Sequence, residues 1–284
     1  MKVAVFGETG QVATELIRRA PAEADLDVFG RARAEFMVPD LVRDIVRNVK
    51  SDVIINAAAY TAVDRAETEP DVAETINGTS VRALAEAAAE IGIPVLHVST
   101  DYVFDGSGEQ PWEPDQPTAP LGAYGRSKEI GEAGIRAAAG RFAILRTSWV
   151  FSAHGGNFVK TMLRLGPANE QMSIVHDQIG GPTPAADISD ALYVMARAMC
   201  DGHPGGTYHF SGAPDTSWAG FAREIFRQAG LATIVNDIPT SEFPRPAKRP
   251  LNSRLDCTSI KRDFGIDRPD WSKGLTDVVK ELLA

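Results

Sequence analysis

Tyr124 and Lys128 stand four residues apart in the stretch Tyr124-Gly125-Arg126-Ser127-Lys128. On a helix, positions i and i+4 share one face, so a phenol and an ammonium project into the same space. A fixed positive charge beside a phenol favours the phenolate, whose ordinary pKa lies near ~10. The pair is therefore a candidate general acid able to work near neutral pH. Upstream, Ser99-Thr100-Asp101 closes an apolar run, and a hydroxyl there can hydrogen-bond a carbonyl oxygen while Tyr124 delivers its proton. Position alone assigns one of Ser99 and Thr100 a capping role. Tyr-x-x-x-Lys arises by chance in most long chains, and it gains meaning only beside a nucleotide site.

Such a site is readable at the start of the chain, in Lys2-Val3-Ala4-Val5-Phe6-Gly7-Glu8-Thr9-Gly10-Gln11-Val12-Ala13. A short apolar run reads as a buried parallel strand, and Ala13–Ala20 as the opening of a helix. In Gly7-x-x-Gly10-x-x-Ala13, Gly7 allows a tight turn and Gly10 lets the backbone approach a diphosphate. Ala13 lets the helix lie close to the strand. The diphosphate then rests on the helix N-terminus. The glycines alone fit an ordinary turn equally well; the strand–turn–helix context favours the nucleotide.

After the third apolar run comes Asn56-Ala57-Ala58-Ala59, small enough to leave room for an adenosine and its ribose, and equally suited to tight strand–helix packing. The second run is followed by Gly30-Arg31-Ala32-Arg33, with no acid within Val28–Arg33 to take a ribose 2′-hydroxyl. Arg31 and Arg33 are instead placed to grip a 2′-phosphate. NADPH is the expected cofactor, with NADH possible. The five histidines, His97, His154, His176, His203 and His209, have no ligand spacing, so no metal site is expected. Gly-x-Ser-x-Gly is absent, which removes the common serine hydrolase reading.

These residues need a scaffold. Apolar runs at Val3–Phe6, Asp27–Phe29, Val53–Ile55, Val95–Val98 and Phe142–Leu145 alternate with helical patterns at Gln11–Arg19, Leu41–Asn48, Asp71–Ile91 and Ala123–Ala138. That alternation predicts an α/β fold, a Rossmann-type doubly wound parallel sheet. The Pro/Gly-rich stretch 101–121 breaks the rhythm where such sheets bind ligands. Beyond about Phe151 the rhythm loosens. The expected division is a dinucleotide-binding domain over 1–150 and a small C-terminal α/β substrate-binding domain over 151–284, with an approximate boundary across which elements can interleave.

The 284 residues and 44% hydrophobic content support a sizeable core. A net charge of −9, without basic runs, argues against nucleic acid. No apolar stretch reaches membrane-spanning length. Cys200 and Cys257 form no CxxC or disulfide framework, and Met1 leads straight into the first strand, so a cytoplasmic protein is expected.

With these motifs in this order, the chain resembles the extended short-chain dehydrogenase/reductase superfamily and, within it, the dTDP-4-dehydrorhamnose reductase family. The likeness continues in Tyr60-Thr61-Ala62-Val63-Asp64, Tyr102-Val103-Phe104, Arg146-Thr147-Ser148-Trp149-Val150 and Arg249-Pro250-x-Asn252-Ser253-Arg254, and so runs nearly end to end. The resemblance implies reduction of the C4 ketone of dTDP-4-dehydro-6-deoxy-L-mannose to dTDP-L-rhamnose. It makes Tyr124 the proton donor, gives Lys128 the tasks of lowering its pKa and holding the nicotinamide ribose, and sets Thr100 to orient the carbonyl. It implies cofactor contacts from Gly7, Gly10, Gln11 and Val12 at the diphosphate, Asp40 and Leu41 at the adenine, and Ala57, Ala58, Ala59, Tyr60, Thr61 and Val98 further along. Asp101, Tyr102 and Trp149 line the implied sugar pocket, with Asn157, Arg249 and Asn252 as further contacts.

Some members of the family dimerise through a magnesium ion held by glutamates. Glu15 is present here, but Ala185-Ala186 and Leu283-Ala284 replace the other acidic positions, so a magnesium-bridged dimer is not expected. The chain is expected to be a monomer or homodimer. The competing readings are another reductase or epimerase of nucleotide sugars, and a non-catalytic regulatory subunit on the same scaffold. A dehydratase of this superfamily needs an Asp-Glu pair after the threonine, where this chain has Asp101-Tyr102.

Overall fold

The computed structural model describes residues 1–284. Strands and helices alternate as β1 (Lys2–Phe6), α1 (Gln11–Arg18), β2 (Asp25–Phe29), α2 (Pro39–Asn48) and β3 (Val53–Asn56). Two short helices, α3 (Val63–Ala66) and α4 (Pro70–Glu74), lead to α5 (Ser80–Glu90), followed by β4 (Val95–Thr100), α6 (Ala123–Ala137) and β5 (Phe142–Thr147). All five strands read from the sequence are present, each end within two residues of its expected place.

These strands, with β10 (Gly205–His209) at one edge, lie in one parallel sheet of order β10-β5-β4-β3-β1-β2. The order reverses at β1, with β2 on one side and β3 on the other; that switch point is where such sheets bind ligands. Alternation along β1 explains the two cores. Val3 and Val5 face the side covered by α1 and by α8 (Ala185–Cys200), while Ala4 and Phe6 face the side covered by α2 and α5. All four are fully buried.

The rest of the chain gives β6 (Val150–Phe151), α7 (Phe158–Leu165), β7 (Gln171–Val175), β8 (Ile179–Gly180), β9 (Thr183–Pro184) and α8 (Ala185–Cys200). Then come β10 (Gly205–His209), β11 (Thr216–Ser217), α9 (Trp218–Gln228), β12 (Ile234–Ile238), β13 (Asn252–Ser253), α10 (Thr258–Phe264) and α11 (Trp271–Leu283). The chain interleaves: β10 returns to the main sheet as its edge strand beside β5, and α8 packs on α1. A separate core of Phe151, Val159, Met162, Phe221, Phe226 and Leu275 holds the second lobe. No helix is long and apolar enough to cross a membrane.

One expected helix, Asp71–Ile91, is interrupted by a π-helical turn at Thr75–Thr79. The cause is close approach of α6. A Cβ on Gly78 would lie 2.8 Å from Ile130 Cγ2, and one on Gly131 would overlap the Asn77 carbonyl. The widened turn aims Asn77 at the end of β3: its Oδ1 accepts from the Tyr60 N–H (2.8 Å) and its Nδ2 donates to the Tyr60 carbonyl (2.9 Å). Such π-turns are concentrated at functional sites.

Candidate active site

The loop after β1 is built around Gly7. Its φ is +113°, a conformation that side chains avoid, and a Cβ there would sit 3.1 Å from the Ala58 nitrogen. Its N–H donates to the Phe29 carbonyl (3.0 Å), and the Ala57 N–H donates to the Phe6 carbonyl (2.8 Å), so three strand ends are tied together. Gly10 caps α1 with no side-chain partner, and a Cβ there would point into open space. The first N–H groups of α1 therefore face an open cradle, as an anion requires. Val12 is buried. The Gln11 side chain bridges the lobes instead, donating to the Val150 carbonyl (3.3 Å) and accepting from Ser152 (3.1 Å) and Asn157 (2.8 Å).

The two arginines differ. Arg33 is engaged, donating to Asp27 (2.7 Å) and to the Val28 carbonyl (2.7 Å) and lying over the Phe29 ring. Arg31 is extended into solvent, with Glu35 at 3.9 Å its nearest acid. The expectation of an acid-free turn needs correction, because Glu8 supplies one from the glycine loop. A Cβ on Gly30 would overlap the Glu8 carboxylate, so Glu8 fills the space that an acidic side chain at residue 30 would take. Asp40 and Leu41 are exposed in the first turn of α2, Asp40 pairing with Arg43 (2.5 Å).

Thr100 ends β4, and α6 carries Tyr124 and Lys128 one turn apart. Gly125 lets the helix press on the loop, since a Cβ there would overlap the Tyr102 carbonyl. The Tyr102 and Tyr124 rings meet edge to face at 5.6 Å. Burial pushes the Tyr124 phenol up to about 12, against a smaller downward pull from the Thr100 hydroxyl. The expected acidification of this phenol by Lys128 is therefore not realised. Lys128 Nζ lies instead against His97 Nε2 (3.0 Å) and the Val98 carbonyl (2.7 Å), and burial lowers its pKa to about 8.

Asp101 is 2% exposed, accepts from Thr100 at 3.1 Å, and has the Ser253 hydroxyl near enough to lower its pKa, while its Oδ2 has no partner in good hydrogen-bond geometry. Burial raises its carboxyl to about 6. An orphaned buried acceptor beside a phenol is a place for a hydroxyl-bearing ligand. Trp149 adopts φ +50°, rare for a bulky residue, and stacks on Trp218 at 3.7 Å with its indole edge over Gly180.

The other expected substrate contacts have structural partners. Arg249 donates to Asp64 (3.1 and 3.2 Å), as does Arg245 (2.5 Å), fastening the proline-rich loop 239–250 to α3. Asn252 donates to the Gln110 carbonyl (2.8 Å) and so holds the stretch 101–121 on β13. Asn157 caps α7, accepting from the Lys160 N–H (3.1 Å) and donating to Gln11 and Ser152.

Four further residues at the site, Asn77, His97, Glu132 and Trp218, carry no local sequence signal; His97 is legible only as a histidine without ligand spacing. Glu132 is fully buried and meets Arg146 (2.6 Å) and Ser99 (2.6 Å) one turn below Lys128. Among metal-binding residue types, no group of three or more is arranged to hold an ion. Glu15, the one glutamate retained from the family pattern, lies beside His154 (3.2 Å) and Arg18 (3.7 Å).

The whole chain, residues 1–284, matches the family model described as RmlD substrate binding domain. It is 43% identical to a dTDP-4-dehydrorhamnose reductase of Sinorhizobium fredii over 290 residues, covering 100% of this chain and 98% of that one. A solved dTDP-4-dehydrorhamnose reductase from Clostridium acetobutylicum superposes with a TM-score of 0.93 at 33% identity, covering all of both chains. Another, from Bacillus anthracis in complex with NADP, superposes with a TM-score of 0.91 at 34% identity and 99% coverage of each. The chain belongs to the family of these dTDP-4-dehydrorhamnose reductases.

Proposed function

We propose that this chain reduces the C4 ketone of dTDP-4-dehydro-6-deoxy-L-mannose to the alcohol of dTDP-L-rhamnose, with NADPH as reductant. The observation that carries this reading is the convergence of Thr100, Tyr124 and the Asp101 carboxylate at the same carboxyl end of the parallel sheet as the Gly7–Gly10 cradle, in a chain of this family. The residues present fit the dinucleotide: an open helix N-terminus for the diphosphate, small Ala57–Ala59 after β3, and a solvent-exposed Arg31 after β2. NADPH, when bound, supplies the hydride that C4 receives.

The residues of this chain do the rest. Thr100 Oγ and Tyr124 Oη converge on the ketone oxygen and hold it in the geometry of attack. The phenol is fully protonated at neutral pH, since burial holds its pKa near 12, so it enters the reaction carrying the proton that O4 must gain. Lys128 then sets how readily the phenolate left behind is stabilised and recharged. Asp101 Oδ2 accepts a sugar hydroxyl, and Trp149 packs against the sugar face. The sheet lobe takes the cofactor and the second lobe closes over the nucleotide sugar. The two free cysteines, Cys200 and the buried Cys257, suit the reducing cytoplasm in which we place the enzyme.

The test mixes the chain with NADPH and dTDP-4-dehydro-6-deoxy-L-mannose. One NADPH is oxidised per dTDP-L-rhamnose formed, and Tyr124→Phe lowers kcat by roughly 10²–10⁴-fold while NADPH affinity is kept. Absence of NADPH oxidation, or near wild-type turnover by Tyr124→Phe, would remove the reading.

A further inference from the structure

Lys128 has an unusual neighbour for a catalytic lysine. Its Nζ lies 3.0 Å from Nε2 of His97, whose other ring nitrogen lies 3.0 Å from Nδ2 of Asn56. All three residues are buried: His97 and Asn56 at 0% exposure, Lys128 at 1%. The line crosses from β3 through β4 to α6, and its hydrogens can be placed by elimination.

The fixed end is a backbone N–H. Ala58 N donates to Asn56 Oδ1 at 3.1 Å, and a backbone amide can only donate. Turning the Asn56 amide over would set its NH₂ against that N–H, so the NH₂ must face His97. Nδ1 of His97 therefore accepts and carries no proton. A neutral imidazole then has its proton on Nε2. The ring is neutral: burial, and then the nearby Lys128, hold its pKa well below the usual histidine value.

Nε2–H points at Lys128 Nζ. An ammonium has only hydrogens to offer there, and donor would meet donor. An amine has a lone pair. It can accept from His97 while one of its own hydrogens goes to the Val98 carbonyl at 2.7 Å. Each nitrogen and oxygen of the line then meets a partner of the opposite kind.

We propose that His97, oriented by Asn56, is a positioning residue that holds Lys128 as a neutral amine in its retracted position, so that protonation drives Nζ off the ring and toward the Tyr124 side of the cleft. The lysine is thus a two-position device. Retracted, it is an amine bound to His97 and Val98. Charged, it keeps the Val98 carbonyl, loses His97, and turns to the partners an ammonium can use: the phenol, and the hydroxyls of a bound ribose. Binding of that ribose accordingly takes up a proton.

The charged and titratable groups around Nζ leave this balance close. Glu132, one turn further along α6, favours the ammonium, whereas burial disfavours it more strongly. Tyr124, one turn before Lys128 on the same helix, stays protonated near neutrality; Asp101, with its pKa raised to about 6, is largely ionised there but is not among the groups that shift Lys128. No carboxylate meets Nζ directly; Glu132 is engaged by Arg146, Arg136 and Ser99. The result is a transition near pH 8.

The inference rests on Lys128 serving the reductase site, but its first test needs neither cofactor nor substrate. In protein labelled with ¹⁵N-histidine, two-bond proton–nitrogen correlation reads the tautomer of each ring. The His97 signal is assigned by its loss in His97→Gln or, if that variant does not fold, by elimination through single variants of the other four histidines. At about pH 9, where the amine dominates, His97 shows a proton on Nε2 and a bare Nδ1. A proton on Nδ1 at that pH would overturn the proposal, whatever the enzyme reduces.

The second test reverses the line. In Asn56→Asp a carboxylate oxygen replaces the NH₂, so Nδ1 becomes the protonated nitrogen and Nε2 is left to accept from an ammonium. The titration of Lys128, read from ¹⁵Nζ-lysine signals and from the alkaline limb of NADPH binding, then moves up by about one pH unit or more. An unmoved titration in a folded Asn56→Asp variant would also overturn it.

Discussion

Two buried polar sites lie one helical turn apart on α6, and they are built oppositely. At the lower one, Glu132 and Arg146 pair at 2.6 Å with exposures of 0% and 1%. Glu132 Oε1 also accepts from Ser99 and from Arg146 Nε, while Oε2 accepts from Arg146 and Arg136. Burial pushes the carboxyl up, but the Arg146 bonds outweigh it and the pKa ends below its ordinary value. Arg146 goes on to the Pro114 carbonyl, so the pair ties α6 and β5 to the long loop. At the upper site, Lys128 is equally buried and has no contacting acid. Full compensation marks scaffold; a buried group left short of a counter-charge marks chemistry.

The largest expected effect tests the lower site. Glu132→Ala leaves the Arg146 guanidinium buried and unpaired, which costs about 3–5 kcal/mol of stability. Urea denaturation of the variant measures this directly. Replacing both partners by apolar residues, as Glu132→Leu with Arg146→Met, should recover most of it. A loss under about 1 kcal/mol for Glu132→Ala would show that the pair is not scaffold and would dissolve the contrast.

The upper site differs in its dependence on pH. Burial lowers the folded pKa of Lys128 to about 8, whereas in the unfolded chain it titrates near ~10.4. Below pH 8 both states are charged, and the fold carries the full cost of a buried ammonium. Between the two values the unfolded chain binds more protons, so stability rises with pH. The gain is of order 3 kcal/mol across the window. Wild type and Lys128→Met, unfolded in urea at pH 7.5 and at about pH 10, isolate it: the stability advantage of the variant shrinks as pH rises. A pH-independent difference would mean that Lys128 titrates normally. Asp101 acts in the acid range. Its folded pKa is raised to about 6, so the fold binds the extra proton and this contribution falls as pH rises through 4 to 6.

How much of this was legible in the sequence follows from distance along the chain. Tyr124 and Lys128 could be paired because helical periodicity is local, and Gly7 and Gly10 because a strand–turn–helix is local. The path of Nζ was not legible. It depends on β3 and β4 lying in register with Asn56 opposite His97, a pairing between residues far apart in sequence. The same holds for Glu8 and Gly30, which meet only because β1 and β2 are neighbours. Arg33 reads as a 2′-phosphate contact because residue types alone do not show that the turn after β2 folds it back on Asp27 and Phe29. The π-turn at Thr75–Thr79 was hidden for a related reason: alanine-rich helical propensity on both sides reads continuously, and the interruption is imposed by α6.

Trp149 extends the contrast from charge to backbone. A tryptophan at φ +50° is held there by its surroundings, at a cost of order 1–3 kcal/mol. The Trp218 stack at 3.7 Å is the contact that holds it. Trp218→Leu keeps apolar bulk against Phe158 and Phe221 but removes the flat partner, worth about 0.5–1.5 kcal/mol. On the proposed function, a released Trp149 no longer presents its ring to the sugar. The expected result is a fall in kcat/KM for the dTDP-sugar of roughly tenfold, with the KM for NADPH unchanged. Loss of stability with unaltered kinetics would make both tryptophans scaffold.

The smallest effect belongs to Glu8, a group left short at the surface. Its carboxylate occupies the place of a residue-30 side chain at the end of β2, where a ribose 2′-substituent would lie. Arg31, 86% exposed and 3.9 Å from Glu35, is the solvated cation near the same turn. The two act in opposite directions on a 2′-phosphate. Because both are solvated, the field of one charge some 6 Å away is worth about 0.7–1.4 kcal/mol, or roughly three- to tenfold. Glu8→Gln should therefore lower the KM for NADPH about three- to tenfold and leave that for NADH nearly unchanged, while Arg31→Ala raises the KM for NADPH. The repulsion is screened, so the gain from Glu8→Gln should shrink as salt is raised from about 0.05 to 0.5 M. Equal shifts for the two cofactors would show that Glu8 shapes the loop and does not face the 2′-position; a gain unaffected by salt would point to a steric cause.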